Sequence, residues 1–202
     1  RSVNYKEKKF SDRKIDILFA GSLKNPIEIK KSWDDLDKRS QLIMNELSDL
    51  AIKEKLFINI DNEISKMFLK YNIKNNDLNY RAFIHSQVER YVRFYKRYEL
   101  IKKIGESDLN VLCIGNVKEY DKLNKSGKLM IIKKVDYQSL LKMVNDSKMV
   151  LNITGHLYNG ITERVLSAMI NGAVAVTEED RFTKKHFKDG ENVILYNFDT
   201  VI

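Results

Sequence analysis

The residue types best suited to chemistry lie in residues 149–196. An apolar strand is predicted at 149–153, and a polar turn containing Gly155 and Gly160 follows it. An amphipathic helix is predicted next, at 160–171, and it leads into a second apolar strand. The first backbone amides of a helix have no partner within it, and the helix dipole favours negative charge. The pattern therefore predicts a phosphate-binding site where this helix begins.

Two short motifs in this segment resemble a known family. The motifs NGITERV at 159–165 and AMINGAV at 168–174 resemble the nucleotide-sugar-binding half of glycosyltransferases of the two-Rossmann-domain (GT-B) type. The most similar pattern is that of the spore-maturation-type and glycosyl-transferase family 1-like proteins. The resemblance runs from about Lys14 onward, and 149–196 is its specific part. It implies a nucleotide-diphosphate sugar as donor substrate, no further cofactor, an acceptor that is a glycan, a protein or a lipid, and an N-terminal lobe of the same protein.

Two positions depart from the pattern of that family. Many retaining members carry two glutamates eight positions apart on this helix, where this chain has Asn159 and Ser167. Residues four apart on a helix share a face, so Glu163 would lie on the same stripe. We therefore expect Glu163 to take over the contact with the ribose. If the missing glutamates reflect lost catalysis, the chain is instead a non-catalytic module that binds nucleotides or nucleotide sugars.

The resemblance and the ends of the predicted strands together give the candidate site. We assign the diphosphate to the backbone amides of 160–162, with Arg164 and Lys24 adding positive charge. The charge that develops on the leaving diphosphate would then be stabilised without a metal ion, and none is expected. The catalytic residue is unknown, with His156 as a candidate. The residues expected to contact the nucleotide sugar are Gly21, Ser22, Lys24, Gly115, Asn116, Asp136, Tyr137, Thr154, Asn159, Gly160, Ile161, Thr162, Glu163 and Arg164.

Several of these residues also have a purely structural interpretation. With Gly160 as the N-cap, Glu163 falls at the third helical position, where a carboxylate commonly satisfies free amides. Arg164 is alternatively a solvated charge on the helix surface, and His156 a surface or packing residue. One-turn spacing predicts that four residues of this helix pack in the core, namely Ile161, Val165, Leu166 and Met169.

Strands that alternate with helices predict an α/β fold with a Rossmann-like parallel sheet. The strands are predicted at 14–20, 111–114, 129–132, 149–153 and 173–177, and the later helices at 138–146, 160–171 and 181–188. Ligands of such sheets bind beyond the carboxyl ends of the strands. Those ends carry Gly21-Ser22, Gly115-Asn116, Asp136-Tyr137 and Thr154-Gly155.

The region between the first two strands is predicted to be helical. One or two helices are expected at 26–56, a weaker pattern continues to Lys70, and one long helix is expected at 78–104. We expect the helices at about 26–75 to be an insertion after the first strand. Aromatic residues along the long helix would suit a stacking platform for bases, but aromatics at helical spacing usually pack on a core, which we expect here. They are Tyr80, Phe83, Tyr91, Phe94, Tyr95 and Tyr98.

The length and the charge of the chain limit how many domains it contains and which partners it binds. A chain of 202 residues suffices for one α/β domain with a core. We expect residues 1–202 to form a single nucleotide-sugar-binding domain without the acceptor lobe. The net charge of +8 is spread over the chain among 28 acidic residues, which argues against specific nucleic-acid binding and leaves a membrane surface open as a partner. A basic interaction or nucleic-acid-binding protein is the less favoured alternative.

The cysteine content and the hydropathy pattern bear on the cellular location. The single cysteine, Cys113, lies in the apolar strand at 111–114 and is predicted to pack as a small hydrophobe. One cysteine cannot form a disulfide within the chain, and no zinc-ligand spacing occurs. No run of about 18 apolar residues and no signal-peptide pattern is found. These features predict a cytoplasmic protein.

Overall fold

The computed structural model describes residues 8–53, 59–74, 77–116, 123–154 and 160–198. Its centre is a six-stranded sheet in the order β3-β2-β1-β4-β5-β6, and all five strand pairs are parallel. The predicted parallel α/β sheet is therefore confirmed, and β6 adds a strand to those predicted. The strands are β1 (Ile15–Ala20), β2 (Val111–Ile114), β3 (Leu129–Ile132), β4 (Ser147–Asn152), β5 (Val174–Glu178) and β6 (Ile194–Tyr196).

Helices cover both faces of the sheet and fill the region between β1 and β2. The longest of them spans the predicted range 78–104. The last three begin and end within three residues of the predicted bounds. The helices are α1 (Pro26–Lys31), α2 (Lys38–Lys53), α3 (Ile60–Lys70), α4 (Leu78–Ile104), α5 (Tyr137–Asn145), α6 (Glu163–Ile170) and α7 (Arg181–His186).

Successive side chains of the central strands enter two different apolar cores, because side chains alternate between the faces of a sheet. Phe19 of β1 belongs to the core that contains Leu100 and Ile101 of α4. Its neighbour Leu18 belongs to the core that contains Val165 of α6. Burial on both faces accounts for the nearly continuous apolar runs of these strands.

A third apolar core holds α1, α2 and α3 against the first part of α4. Tyr91 and Phe94 of α4 are buried in it. The remaining aromatic side chains of the helix pack against this core or against the α4 side of the sheet. These are Tyr80, Phe83 and Tyr95 in the helical core and Tyr98 at the sheet. The prediction that this aromatic row packs on a core is confirmed.

Helix α4 links the helical core to the carboxyl edge of the sheet. Its 27 residues extend over about 40 Å, roughly twice the length of a six-residue strand. Its last turns pack on the sheet and end at Gly105, where an added Cβ would lie 2.3 Å from the carbonyl oxygen of Leu123. Further up the helix, Arg97 reaches the carbonyl oxygen of Ser22 just after β1, at 3.4 Å. The middle of α4 therefore lies beside the carboxyl ends of the strands.

Candidate functional site

The strand order places a crevice between the carboxyl ends of β1 and β4. The chain leaves β1 towards β2 and β3 on one side, whereas β4, β5 and β6 lie on the other. Sheets of this order bind their ligands at the point where the strand order reverses. The residues that follow the two central strands, Gly21-Ser22 and Ile153-Thr154, therefore border the expected position of a ligand.

The turn after β1 is held against the end of β2 by backbone contacts. The amide of Gly21 donates to the carbonyl oxygen of Ile114 at 2.9 Å, and the amide of Leu23 donates to that of Asn116 at 3.1 Å. A Cβ on Gly115 would lie 2.4 Å from the carbonyl oxygen of Gly21, so the approach of the two backbones needs a glycine at 115. The structure thus brings together four predicted site residues, namely Gly21, Ser22, Gly115 and Asn116.

Asn152, the last residue of β4, is the centre of a buried polar network. Its side chain is 1% exposed, and its Nδ2 donates to the Oγ1 of Thr177 at 2.9 Å. Its Oδ1 accepts from the Thr162 hydroxyl and from the Nη1 of Arg164, each at 2.8 Å. The hydroxyl of Tyr196 donates to the Asn152 carbonyl oxygen at 3.1 Å. The amide side chain of Asn152 thus joins β4 to β5 and to the start of α6, and its backbone carbonyl adds the contact with β6.

Arg164 is a half-buried cation whose hydrogen-bond partner among the described residues is a neutral amide, that of Asn152. Desolvation lowers the pKa of its guanidinium. No carboxylate lies within salt-bridge distance of it among the residues that the structure describes. The alternative that Arg164 is a solvated surface charge is therefore wrong.

Glu178 connects α4 to the end of β4 and was not among the predicted site residues. One carboxylate oxygen accepts from both the backbone amide of Thr154, at 2.9 Å, and its hydroxyl. The other pairs with the Nζ of Lys96 at 3.2 Å, and the two charged side chains are only 13% and 12% exposed. Thr154, a predicted site residue, is thus held in place by β5 and, through Lys96, by α4.

Cations from two elements surround the ring of Phe94 beside the same crevice. The Nζ of Lys24 and the Cζ of Arg93 each lie 5.6 Å from the ring centre, and the Cζ of Arg97 lies 5.9 Å from it. Arg97 also lies 5.8 Å from the ring of Phe19. We call Lys24, Arg93 and Arg97 the Phe94 cation cluster. Of these three residues, only Lys24 was predicted from the sequence. An arginine on a helix that packs on a core usually lies at the solvent-exposed edge of that helix.

Two predicted site residues meet at the starts of α5 and α6. The hydroxyl of Tyr137, which is 52% exposed, donates to the carboxylate of Glu163 at 2.9 Å. The neighbouring Asp136 is the N-cap of α5 and accepts from the amide and the hydroxyl of Ser139. These hydrogen bonds, led by that of the hydroxyl, hold the pKa of Asp136 below its usual value. The Asp136 carboxylate thus caps a helix, whereas the Tyr137–Glu163 pair faces solvent.

Helix α6 begins three residues later than predicted: Thr162 takes the extended N-cap conformation, and its hydroxyl is held by Asn152. Gly160, Ile161 and Thr162 therefore precede the helix, and the prediction that their amides form its start is wrong. Glu163 is the first helical residue, so its expected capping role at the third position is wrong as well. His156 and Asn159 lie outside the described residues.

The core prediction for α6 holds for most of the helix but fails at one position. Val165 is 1% exposed, and Ile161 and Met169 are partly buried against the same core. Leu166, by contrast, is 45% exposed. It stands next to Val165 and points away from the sheet. Spacing of three and four residues does not decide whether a residue at the edge of an apolar stripe is buried.

The chain contains one Asp-x-Asp triplet, Asp35-Leu36-Asp37, which lies between α1 and α2. Asp37 precedes α2, and its carboxylate accepts from the amides of Arg39 and Ser40 and from the Ser40 hydroxyl. It acts there as a helix cap. Among the described residues, no three His, Cys, Asp or Glu side chains gather into a group that could hold a metal ion.

The fold and the residues at the carboxyl edge of the sheet define a Rossmann-like α/β protein with cationic side chains near the point where its strand order reverses. Residues 90–201, more than half of the chain, match the glycosyl transferase-like family. The chain therefore belongs to the glycosyl transferase-like family, and the resemblance recognised in its motifs is confirmed. No curated protein matches it.

Among solved structures, the chain is distantly similar to a crystal structure of a dehalogenase. The two share 11% sequence identity over 86% of this chain and 91% of the other, with a TM-score of 0.36. A likeness this distant does not bear on function. In the described part of the chain, no helix has the length and apolar character needed to cross a membrane.

Proposed function

We propose that the chain binds a nucleotide-diphosphate sugar in the crevice between β1 and β4, as the donor half of a GT-B glycosyltransferase. Membership of the glycosyl transferase-like family supports glycosyl transfer in general. The strand order supports a ligand at this crevice, since β1 and β4 are the strands at which the order reverses.

The observation that carries the proposal is that Arg164 has no carboxylate partner among the described residues. A charge that is partly withdrawn from water is costly unless it is paired, and Asn152 orients this half-buried guanidinium without cancelling its charge. An anionic ligand would supply the missing partner. In glycosyl transfer, negative charge develops on the departing diphosphate, and a cation already held in place stabilises that charge without reorganisation. We assign Arg164 to the diphosphate, with no cofactor in the proposed reaction.

The acceptor is the other half of the proposal. In a GT-B arrangement it would be held by a second lobe of the same protein, and closure of the lobes would exclude water and align the two substrates. The proposed acceptor is a glycan, a protein or a lipid. On this proposal, the described crevice holds the donor alone.

Donor binding is tested by calorimetry and thermal shift with nucleoside diphosphates and their sugars. A ligand at 100 times its dissociation constant raises the free energy of unfolding by about 2.7 kcal/mol. Arg164→Gln should weaken nucleoside diphosphates by tenfold or more, as expected for loss of a charged hydrogen-bond donor worth about 1.5–3 kcal/mol, and leave the binding of nucleosides unchanged.

The matched control is Arg13→Gln. Arg13 is a buried arginine before β1, and its Nη1 donates to the carbonyl oxygen of Ser147 at the amino end of β4, at 2.8 Å. Its loss should lower stability and leave affinity unchanged. Failure of the unsubstituted chain to bind any nucleoside diphosphate or its sugar would overturn the proposed function.

A non-catalytic binding module is the second candidate, favoured by the residues at the two family glutamate positions. Ser167, half-buried on α6, stands at one of them, and Asn159 stands at the other. Measuring sugar transfer and donor hydrolysis by the protein with its second lobe separates the candidates. Donor binding with neither reaction would favour the module, whereas transfer would exclude it.

A further inference from the structure

Among the described residues, only one of the three cations in the Phe94 cation cluster has a carboxylate partner. Glu89 pairs with Arg93 at 3.4 Å, whereas Glu178 is already paired with Lys96. In the part of the chain that the structure describes, neither Lys24 nor Arg97 has a carboxylate within salt-bridge distance. Attraction to the ring offsets part of the repulsion between these like charges, and an anion placed among them would offset the rest.

Arg97 is the member most constrained by its surroundings. Its Nε is buried and has no hydrogen-bond partner among the described residues, and the same holds for the Nε of Arg93. Its Nη1 reaches only the carbonyl oxygen of Ser22, at a long 3.4 Å. Burial, followed by the nearby charge of Arg164, lowers the pKa of Arg97 to about 10. The guanidinium stays protonated at neutral pH, and its Cζ lies close to the ring centres of both Phe19 and Phe94, at 5.8 Å and 5.9 Å.

We infer that Arg97, with Lys24 and Arg93, binds the diphosphate of the donor from the α4 side of the crevice. This assignment rests on the proposed function and extends it to the helix between β1 and β2. It moves the expected phosphate contacts from the amides of 160–162 to guanidinium and ammonium groups. Arginine suits this role because its planar fork donates two hydrogen bonds to a phosphate at once.

The number of cations points to a diphosphate as the preferred anion. Within the described ranges Lys24, Arg97 and Arg164 have no carboxylate at salt-bridge distance, and Arg93 has its partner in Glu89 on the helix surface. A diphosphate carries more negative charge than a single phosphate and spans a longer distance between its oxygens. The cluster should therefore bind inorganic pyrophosphate more tightly than inorganic phosphate, by about tenfold if one further charged contact is gained.

The test uses calorimetry with inorganic phosphate, inorganic pyrophosphate and uridine diphosphate. Arg97→Gln should weaken pyrophosphate and the nucleotide by about tenfold or more, and Arg97→Lys should restore only part of the loss because lysine lacks the fork. Lys24→Gln, at an exposed position, should weaken both ligands by a smaller factor without affecting folding. Lys103→Gln, which removes an exposed charge from the far end of α4, should change affinity less than twofold.

The results distinguish failure of this assignment from failure of the proposed function. If the unsubstituted chain binds nucleoside diphosphates while Arg97→Gln and Lys24→Gln bind them equally well, the assignment to α4 is wrong and the proposed function stands. If Arg97→Gln fails to fold, two other results together would overturn the assignment to α4. They are an unchanged affinity of Lys24→Gln for both ligands and an affinity of the unsubstituted chain for pyrophosphate that does not depend on salt. Tight, salt-sensitive binding of single-stranded RNA, with no binding of pyrophosphate, nucleoside diphosphates or their sugars, would overturn both in favour of a nucleic-acid-binding surface.

Discussion

The Nη1 of Arg164 donates a 2.8 Å hydrogen bond to the Oδ1 of Asn152, and no nearer anion among the described residues competes for it. An aspartate at 152 would hold the guanidinium in the same place but cancel its charge. An asparagine holds the guanidinium in place without neutralising its positive charge. The choice of an amide over a carboxylate at the end of β4 therefore keeps a cation available to a ligand.

Asn152→Asp tests this distinction directly. The carboxylate keeps the oxygen that accepts from Thr162 and Arg164, and the hydroxyl of Thr177 can donate to it in place of accepting. We expect the free energy of unfolding to change by only about 1 kcal/mol, whereas the affinity for nucleoside diphosphates falls by about tenfold or more. Chemical denaturation and calorimetry on the same sample measure the two effects.

Thr177→Val is the control for this prediction. It leaves the buried Nδ2 of Asn152 without its partner and should lower the free energy of unfolding by about 1–3 kcal/mol. The Arg164 contact lies on the other side of the amide, so affinity should not change. Unaltered nucleotide binding by Asn152→Asp would show that the charge of Arg164 is not used.

Gly115→Ala should disturb the crevice through the backbone. The new Cβ would lie 2.4 Å from the carbonyl oxygen of Gly21, and a backbone atom cannot move away as a flexible side chain can. We expect a loss of about 1–3 kcal/mol in stability and weaker donor binding, because the turn that carries Ser22 must shift. Thermal denaturation and calorimetry would measure both losses.

Gly127→Ala is the matched control, since it sits before the amino end of β3, away from the crevice. An added Cβ meets nothing within 4 Å there, although the positive φ of 76° makes the substitution unfavourable. It should lower stability and leave donor affinity intact. Equal affinity in the two variants would mean that the backbone contact at Gly115 serves folding alone.

Cys113 should behave as a buried thiol, as its sequence context predicts. It is 0% exposed, and burial raises its pKa from 9.0 to about 12. The folded state therefore keeps the thiol proton where the unfolded state has lost it, so this contribution to stability is complete below pH 9 and is lost as the pH rises towards 12.

The stability difference between the unsubstituted chain and Cys113→Ala should accordingly shrink by about 1 kcal/mol between pH 8 and pH 10. Denaturation at the two pH values measures it. Iodoacetamide should react with Cys113 only after denaturant is added. Rapid alkylation of the folded chain, or a difference that does not change with pH, would contradict the burial of the thiol.

The sheet and the long helix were predictable because their signals are local. Burial determines where these two elements form, and it leaves a direct pattern in the sequence. The pattern is an apolar run at residues 111–114 and aromatic residues at helical spacing in 78–104. The start of α6 was misplaced because Gly160 and Thr162 are both acceptable N-caps, and the contact between Thr162 and Asn152 that favours the second is not a local one. Leu166 was misplaced for a similar reason, since only the tertiary packing shows where an apolar stripe ends.

The cationic part of the site could be predicted only in part. Arg164 and Lys24 lie next to glycine-containing turns, which mark strand ends in the sequence. Arg97 and Glu178 gave no such signal, because their places at the crevice depend on how far α4 extends past the sheet and on the pairing of β4 with β5. Contacts between residues 75 and 24 positions apart in the chain leave no periodic pattern in it.

The pair formed by Tyr137 and Glu163 tests the role proposed for Glu163 at the ribose. Their 2.9 Å hydrogen bond joins two solvent-facing side chains, so its loss in Tyr137→Phe should change stability by less than about 1 kcal/mol. A ribose hydroxyl would replace the tyrosine hydroxyl as donor to the same carboxylate. We therefore expect Tyr137→Phe to bind ribonucleotides as tightly as the unsubstituted chain or more tightly, since the competing donor is gone.

Glu163→Gln supplies the complementary result. It should weaken nucleoside diphosphates with an intact ribose more than their dideoxy counterparts, by about three- to tenfold for one hydrogen bond of about 1 kcal/mol. Calorimetry with matched ribose and dideoxyribose ligands measures the ratio, and Leu166→Gln, at the exposed α6 position 166, controls for changes to the helix surface. If Glu163→Gln weakens both ligand types equally, or neither, the carboxylate does not contact the ribose and serves only to hold Tyr137 at the start of α5.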